Sequence, residues 1–195
     1  MPKLGMGPIR RKQLVDAAIA VIHEHGFANA TIARIAQRAG VFPGIVHHYF
    51  ADKDELLFAT MRSLLAELRR DTVRRQRGAR TPRERVNAVI DSSFGDGQFD
   101  EQVFSAWLAL YGNARQSPRL QRILSLYHRR LHANLMFDLG KLMDRDRALK
   151  LAEGIGAMID GLWLRYALTG KPDDPAHPRA ITRAYFESAG SPGSL

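Results

Sequence analysis

The sequence predicts an all-α protein of about nine helices, with an N-terminal three-helix helix-turn-helix unit on a larger helical body. Three observations predict it. Apolar residues recur at spacings of three and four along nearly the whole chain. Glycines, prolines and capping residues punctuate these runs at helix-length intervals. No stretch shows the alternation of a strand, and no internal repeat is present. A length of 195 residues suits one domain, or a small head on a larger body.

The elements follow in order. Leu14, Ala17, Ala18, Val21 and Ile22 share one face of a first helix that Gly26 stops. Thr31 caps a second, short helix running to Ala39, and Gly40 closes it. Pro43 opens a third over Pro43–His48. Asp52 and Glu55 form a capping-box variant ahead of a long helix, through Leu56, Leu57, Ala59, Met61, Leu64, Leu65 and Leu68 toward Gly78. Thr81-Pro82-Arg83-Glu84 is a full capping box. Gly95-Asp96-Gly97 breaks the chain before a helix over Glu101–Asn113. Ser117-Pro118 starts another, through Leu120, Leu124, Leu131, Leu135 and Leu139. Asp144 or Asp146 starts the next, which Gly170 and Pro172 close. Asp173–Pro178 reads as a loop, Ala180–Ala189 as the last helix, and Ser191–Leu195 as a mobile tail.

Composition narrows the function. Hydrophobic residues at 45% and charged residues at 25% exclude a disordered chain and a fibrous repeat. The absence of cysteine excludes disulfides, thiolate-bound metal and a thiol nucleophile, and fits the cytoplasm. Met1–Leu14 has no apolar segment behind its charges, so no signal peptide is expected, and no apolar run approaches the ~18 residues of a membrane span. No Gly-x-Ser-x-Gly elbow, P-loop or HExxH is present, so neither enzyme activity nor a cofactor is expected. The net charge of +9 suits nucleic acid or another anionic surface, although part of the arginine excess (23 Arg, 6 Lys) can reflect genomic base composition.

The N-terminal segment has the chemistry for such a partner. Two short helices joined by Ala39-Gly40-Val41-Phe42 form a helix-turn-helix, with Ile35, Ala36, Val41 and Val46 spaced to bury between helices. Such a motif presents its second helix to base edges in the major groove, here Pro43, Gly44, Ile45, Val46, His47 and His48. Thr31, Arg34, His47, Tyr49 and Lys53 are donors at helix ends, with Lys53 where a helix N-terminus favours phosphate. Lys3, Arg10, Arg11 and Lys12 form a basic arm able to track the backbone or a minor groove.

The run Thr31-Ile32-x-x-Ile35-Ala36-x-x-Ala39-Gly40-Val41-x-x-Gly44-x-x-x-x-Tyr49-Phe50-x-x-Lys53-x-x-Leu56 resembles the DNA-binding signature of the TetR family of repressors. The resemblance implies a helix-turn-helix domain over 1–53 and a ligand-binding and dimerisation domain over 54–195. It implies a homodimer on a palindromic double-stranded operator, released by a small-molecule inducer. Two positions depart from the family. Phe42 stands where Ser or Thr usually caps the recognition helix, which forfeits ~1 kcal/mol and leaves Phe42 to pack on a thymine methyl or the sugar-phosphate edge. His47 stands where Tyr is common.

Further segments resemble the branch of that family that responds to choline and controls glycine-betaine synthesis: Met1-Pro2-Lys3-Leu4-Gly5-Met6, Ala106-Trp107-Leu108-Ala109, and Ile159-Asp160-Gly161-Leu162-Trp163-Leu164-Arg165 with Gly170-Lys171-Pro172. A quaternary ammonium is held by aromatic faces and a carboxylate. Phe104, Trp107 and Tyr111 share one helix face, and Asp160 and Trp163 another, so the two can form a cage. The same stripes also read as core. Asp160 needs a partner, either an arginine such as Arg129, Arg130 or Arg165 or the ligand cation. Gly154, Gly156 and Gly161 permit close helix contact or leave pocket volume; no strand precedes them, which excludes a nucleotide loop. By resemblance, this helix and the last one form the dimer interface. His128 and His132 lack further ligands for a metal. The run Arg69, Arg70, Arg74, Arg75, Arg77, Arg80, Arg83, Arg85 reads as a solvated helix end, with a second nucleic-acid contact as the alternative. The rival readings of function are a different inducer (a drug or aromatic metabolite), a basic protein without operator preference, and a small helical enzyme with an accessory head, which no catalytic constellation supports.

Overall fold

The computed structural model describes residues 6–169 and 174–189. Among these it is all helical: α1 (Met6–Asn29), α2 (Ile32–Ala39), α3 (Pro43–Tyr49), α4 (Lys53–Gly78), α5 (Pro82–Ser93), α6 (Glu101–Ala114), α7 (Pro118–Leu139), α8 (Arg145–Thr169) and α9 (Ala176–Ala189). Lys3, Gly170, Lys171, Pro172 and the 191–195 tail lie outside the described residues.

Local chemistry sets the helix ends. Gly26 (φ 72°) and Gly40 (φ 64°) occupy left-handed backbone that other residues rarely adopt, so each interrupts a helical run. A last short turn carries α1 on to Asn29 beyond that break. Thr31 Oγ1 accepts the Arg34 backbone N–H and caps α2. Asp52 accepts the Glu55 N–H at 2.6 Å, while Glu55 reaches back to the Ala51 N–H at 2.9 Å, so this box is displaced by one residue. Both halves of the Thr81–Glu84 box are present. Asp144 caps α8 by accepting the Arg147 N–H at 3.0 Å, the main cause that holds its carboxyl below the usual range. The last helix corrects the sequence reading: α9 starts at Ala176, four residues before Ala180, because Asp174 accepts the Ala176 N–H at 2.8 Å. Pro178 fits within that first turn, where no N–H donor is required.

The chain divides into two compact units, with cuts at Leu65/Ala66, Asp100/Glu101 and Leu124/Ser125. In the first, α1 packs on α2 and α6, and α2 packs on α3. Its core includes Leu14, Ala18, Ile35, Ala36, Val46 and Leu110, each nearly or wholly buried. Val41, expected in that core, is only half-buried because it sits in the turn itself.

In the second unit, α8 packs on α9, and α5 packs on both. Gly154 allows the α8–α9 approach, since a Cβ there would lie 2.1 Å from the Tyr185 hydroxyl oxygen. Charged groups fasten the rest. Arg183 Nε donates to Asp91 at 2.9 Å, and Arg179 donates to the Phe94 carbonyl at 2.9 Å. Asp138 is 0% exposed and accepts from Arg85 Nε at 3.0 Å on each oxygen and from Lys141 at 3.0 Å. A buried carboxylate is tolerable only when paired in this way. Arg85→Ala leaves Asp138 with Lys141 alone; urea unfolding is expected to show a loss of about 3 kcal/mol.

Candidate nucleic-acid interface and ligand-binding helices

One side chain of the short α3 is buried. Val46 is 0% exposed, whereas Pro43, Gly44, Ile45, His47 and His48 are exposed and Tyr49 is half-buried. Phe42 at the N-cap makes no side-chain capping bond and is 84% exposed, against 40% for Ile45. Phe42, Pro43 and Ile45 together make the exposed N-terminal end of α3 apolar. A Cβ on Gly44 would meet nothing within 4 Å, so the surface beside Phe42 is open to an approaching partner. His48 and Tyr49 meet edge to face, with ring centroids 5.2 Å apart.

The donors around α3 have structural bonds. Arg34 Nη1 donates to the Asn29 carbonyl at 2.8 Å. Lys53 Nζ donates to the Ala28 carbonyl at 2.7 Å and lies 4.6 Å from the Phe27 ring centroid. Burial lowers the Lys53 pKa from its ordinary value, with Asp54 opposing. Arg34 and Lys53 thus brace the turn between α1 and α2, a role that sequence reasoning missed because its acceptors are backbone carbonyls. Arg11 Nη1 donates to the Tyr49 carbonyl at 3.2 Å and lies over the Phe50 ring at 4.6 Å. Gln13 donates to the Ala39 carbonyl at 2.8 Å. Together these bonds fix α1 against the end of each helix in the motif.

The ligand candidates divide between the units. On α6, Phe104 and Trp107 are buried and Tyr111 is half-buried, with the Trp107 and Tyr111 rings 5.9 Å apart. This helix belongs with α1 in the first unit. On α8, in the second unit, Trp163 is buried and donates from Nε1 to the Gln98 carbonyl at 3.3 Å. The Asp160 carboxylate accepts from the Tyr127 hydroxyl at 2.9 Å and lies 3.3 Å from His128 Nε2. Among the described residues its partners come from α7, not from Arg129, Arg130 or Arg165. Tyr127 and His128 were not singled out with Asp160, because no sequence motif signals a tyrosine-histidine pair on one helix facing a carboxylate on another. The arginine run has particular partners: Glu67 for Arg70, Asp71 for Arg74 and Arg75, Asp138 for Arg85, and the Phe186 ring for Arg83.

Among the described residues, no helix is long and apolar enough to cross a membrane. Residues 14–60 match the family model for bacterial regulatory proteins of the TetR family, and residues 82–190 match the C-terminal model of BetI-type transcriptional repressors. The HTH-type transcriptional regulator BetI of Brucella suis is 48% identical over 186 residues, covering 95% of this chain and 94% of that protein. A transcriptional regulator from Pseudomonas aeruginosa PAO1 superposes with a TM-score of 0.83 at 25% identity, covering 96% of this chain and 93% of that one. A regulator from Saccharomonospora viridis, crystallised in complex with choline, gives a TM-score of 0.73 at 23% identity over 91% of this chain and 95% of that one. The chain therefore belongs to the TetR family of DNA-binding transcriptional regulators and is a repressor of the BetI type.

Proposed function

We propose that the protein acts in the cytoplasm as a homodimer that represses glycine-betaine synthesis at a palindromic operator and is released by choline or a related quaternary ammonium. In this reading 1–53 is the DNA-binding domain and 54–195 the ligand-binding and dimerisation domain. The observation that carries it is the exposed α3 surface, Phe42 to His48, in a chain 48% identical to a BetI regulator over 95% of its length. Phe42, Pro43, Gly44, Ile45, His47 and His48 face base edges. Lys3, Arg11, Thr31, Arg34, Tyr49 and Lys53 position the backbone.

A symmetric pair is supported by the outer face of the second unit. Ala157, Gly161, Leu164 and Leu168 of α8 are exposed at spacings of four, three and four, which places them on one stripe. Ala180, Ile181, Ala184 and Ser188 of α9 are exposed as well. Leu168 is 68% exposed in the single chain, and a like face on a second copy would cover it.

Choline is supported by the chemistry of Asp160 and of the aromatic residues, and by the choline bound to the Saccharomonospora viridis regulator. Asp160 supplies negative charge without a buried arginine to cancel it, and Trp163 supplies an aromatic face. Phe104, Trp107 and Tyr111 are the candidates on α6, and a ligand held there bears on the helix that packs against α1. Release requires the ligand to bind the DNA-competent state more weakly; a tenfold fall in operator affinity needs ~1.4 kcal/mol of such difference.

Two outcomes check this reading. Calorimetry is expected to show choline binding between micromolar and millimolar, weakened at least about tenfold by Asp160→Asn and lost in Trp163→Ala. Unchanged binding in both variants removes α8 from the site, and binding only of a drug or aromatic metabolite replaces the inducer. Phe42→Ser restores the missing cap and is expected to stabilise the fold by about 1 kcal/mol while weakening operator binding. A stabilised variant with undiminished operator affinity would take Phe42 out of the reading surface.

A further inference from the structure

A groove of about 310 Å³ lies between α1 and the first half of α4, both within the first unit. Its walls are Pro8, Arg11, Lys12 and Val15 on one side and Ala59, Arg62 and Ser63 on the other. Three cationic side chains and a hydroxyl line it, and no carboxylate does. Lys12 is paired outside it with Asp16 at 2.6 Å. Arg11 is fixed by its bond to the Tyr49 carbonyl. Arg62 is exposed, lies 5.9 Å from the Phe58 ring centroid and has no carboxylate partner among the described residues.

Cations gathered on one concavity repel each other unless an anion joins them, and a guanidinium beside a hydroxyl matches the oxygens of a phosphate. The groove is also tied to the DNA-reading helix. Arg11, one of its walls, bonds to the carbonyl of Tyr49, the last residue of α3. We infer that this groove is a phosphate-binding site, in which Arg62 and Ser63 of α4 join Arg11 and Lys12 to hold a phosphodiester of the bound duplex beyond the bases that α3 reads. This adds a contact on the third turn of α4, separate from the contacts at the helix-turn-helix and the α4 N-terminus. It rests on DNA binding by the family, not on choline or on the particular operator.

The test is salt-dependent binding of a mixed-sequence duplex by the full-length protein, followed by fluorescence anisotropy from about 50 to about 200 mM salt. Arg62→Ala is expected to flatten the log–log slope by about 0.9 for each protomer on the duplex, a contribution worth about threefold in affinity over that range. Arg69→Ala, an exposed cation on the same helix outside the groove, is expected to leave the slope unchanged. The same slope in wild type and Arg62→Ala, or equal flattening in both variants, would overturn the proposal. Phosphorus NMR titration with inorganic phosphate separates the sources: phosphate binding lost in Arg62→Ala with an unaltered DNA slope assigns the groove to a free phosphate and overturns the duplex contact. A wild-type chain that binds no duplex would instead remove the DNA-binding reading itself.

Discussion

The burial of Val46 is the constraint on which the interface depends. A helix of seven residues has too few turns to hold itself, so its position comes from packing. One buried valine, in the core that also holds Ile35 and Ala36, leaves the opposite surface of α3 uncommitted. Gly40 makes that packing possible, because its left-handed backbone turns the chain sharply enough to lay α3 across α2. Phe42 follows from the same geometry. Its backbone serves as the N-cap, and its ring projects into water. A serine would serve the helix better, so the exposed ring is a local cost with a functional reading.

The cations divide into those that build and those that remain on offer. Arg34 and Lys53 close the α1–α2 turn through backbone carbonyls, and Arg85 satisfies the buried Asp138. An arginine excess therefore overstates the charge available to DNA. A lysine that donates one hydrogen to the Ala28 carbonyl still carries two more, so bracing and phosphate contact are compatible roles for Lys53. Positions fixed before DNA arrives lose less freedom on binding than mobile side chains do.

The fold was legible wherever a local rule decides it. Thr31, Gly40, Pro43 and Thr81 with Glu84 each marked a helix boundary that the structure bears out, and of the two aspartates offered for the start of α8, Asp144 caps it, since caps and breakers act within one turn. The start of α9 was misread because Pro178 suggested a loop, whereas Asp174 had already capped the helix. The exposed face of α3 was legible through the helix-turn-helix pattern, which buries Val46 and leaves Phe42, Ile45 and His48 exposed. The partners of Asp160 were not, because Tyr127 and His128 meet it only through tertiary packing of α7 and α8. The grouping of α6 with α1 also escaped the sequence, since periodicity shows which face a helix buries but not against which neighbour.

The exposed apolar end of α3 is proposed to meet base edges in the major groove. Once a bound duplex has been selected, the most direct measurement replaces each thymine in turn by uracil, which removes only the methyl group. In wild type, one or two positions per half-site are predicted to cost about 1 kcal/mol, and Phe42→Ser abolishes that cost at the same positions. Equal losses in both proteins, or no loss at any thymine, would contradict the account.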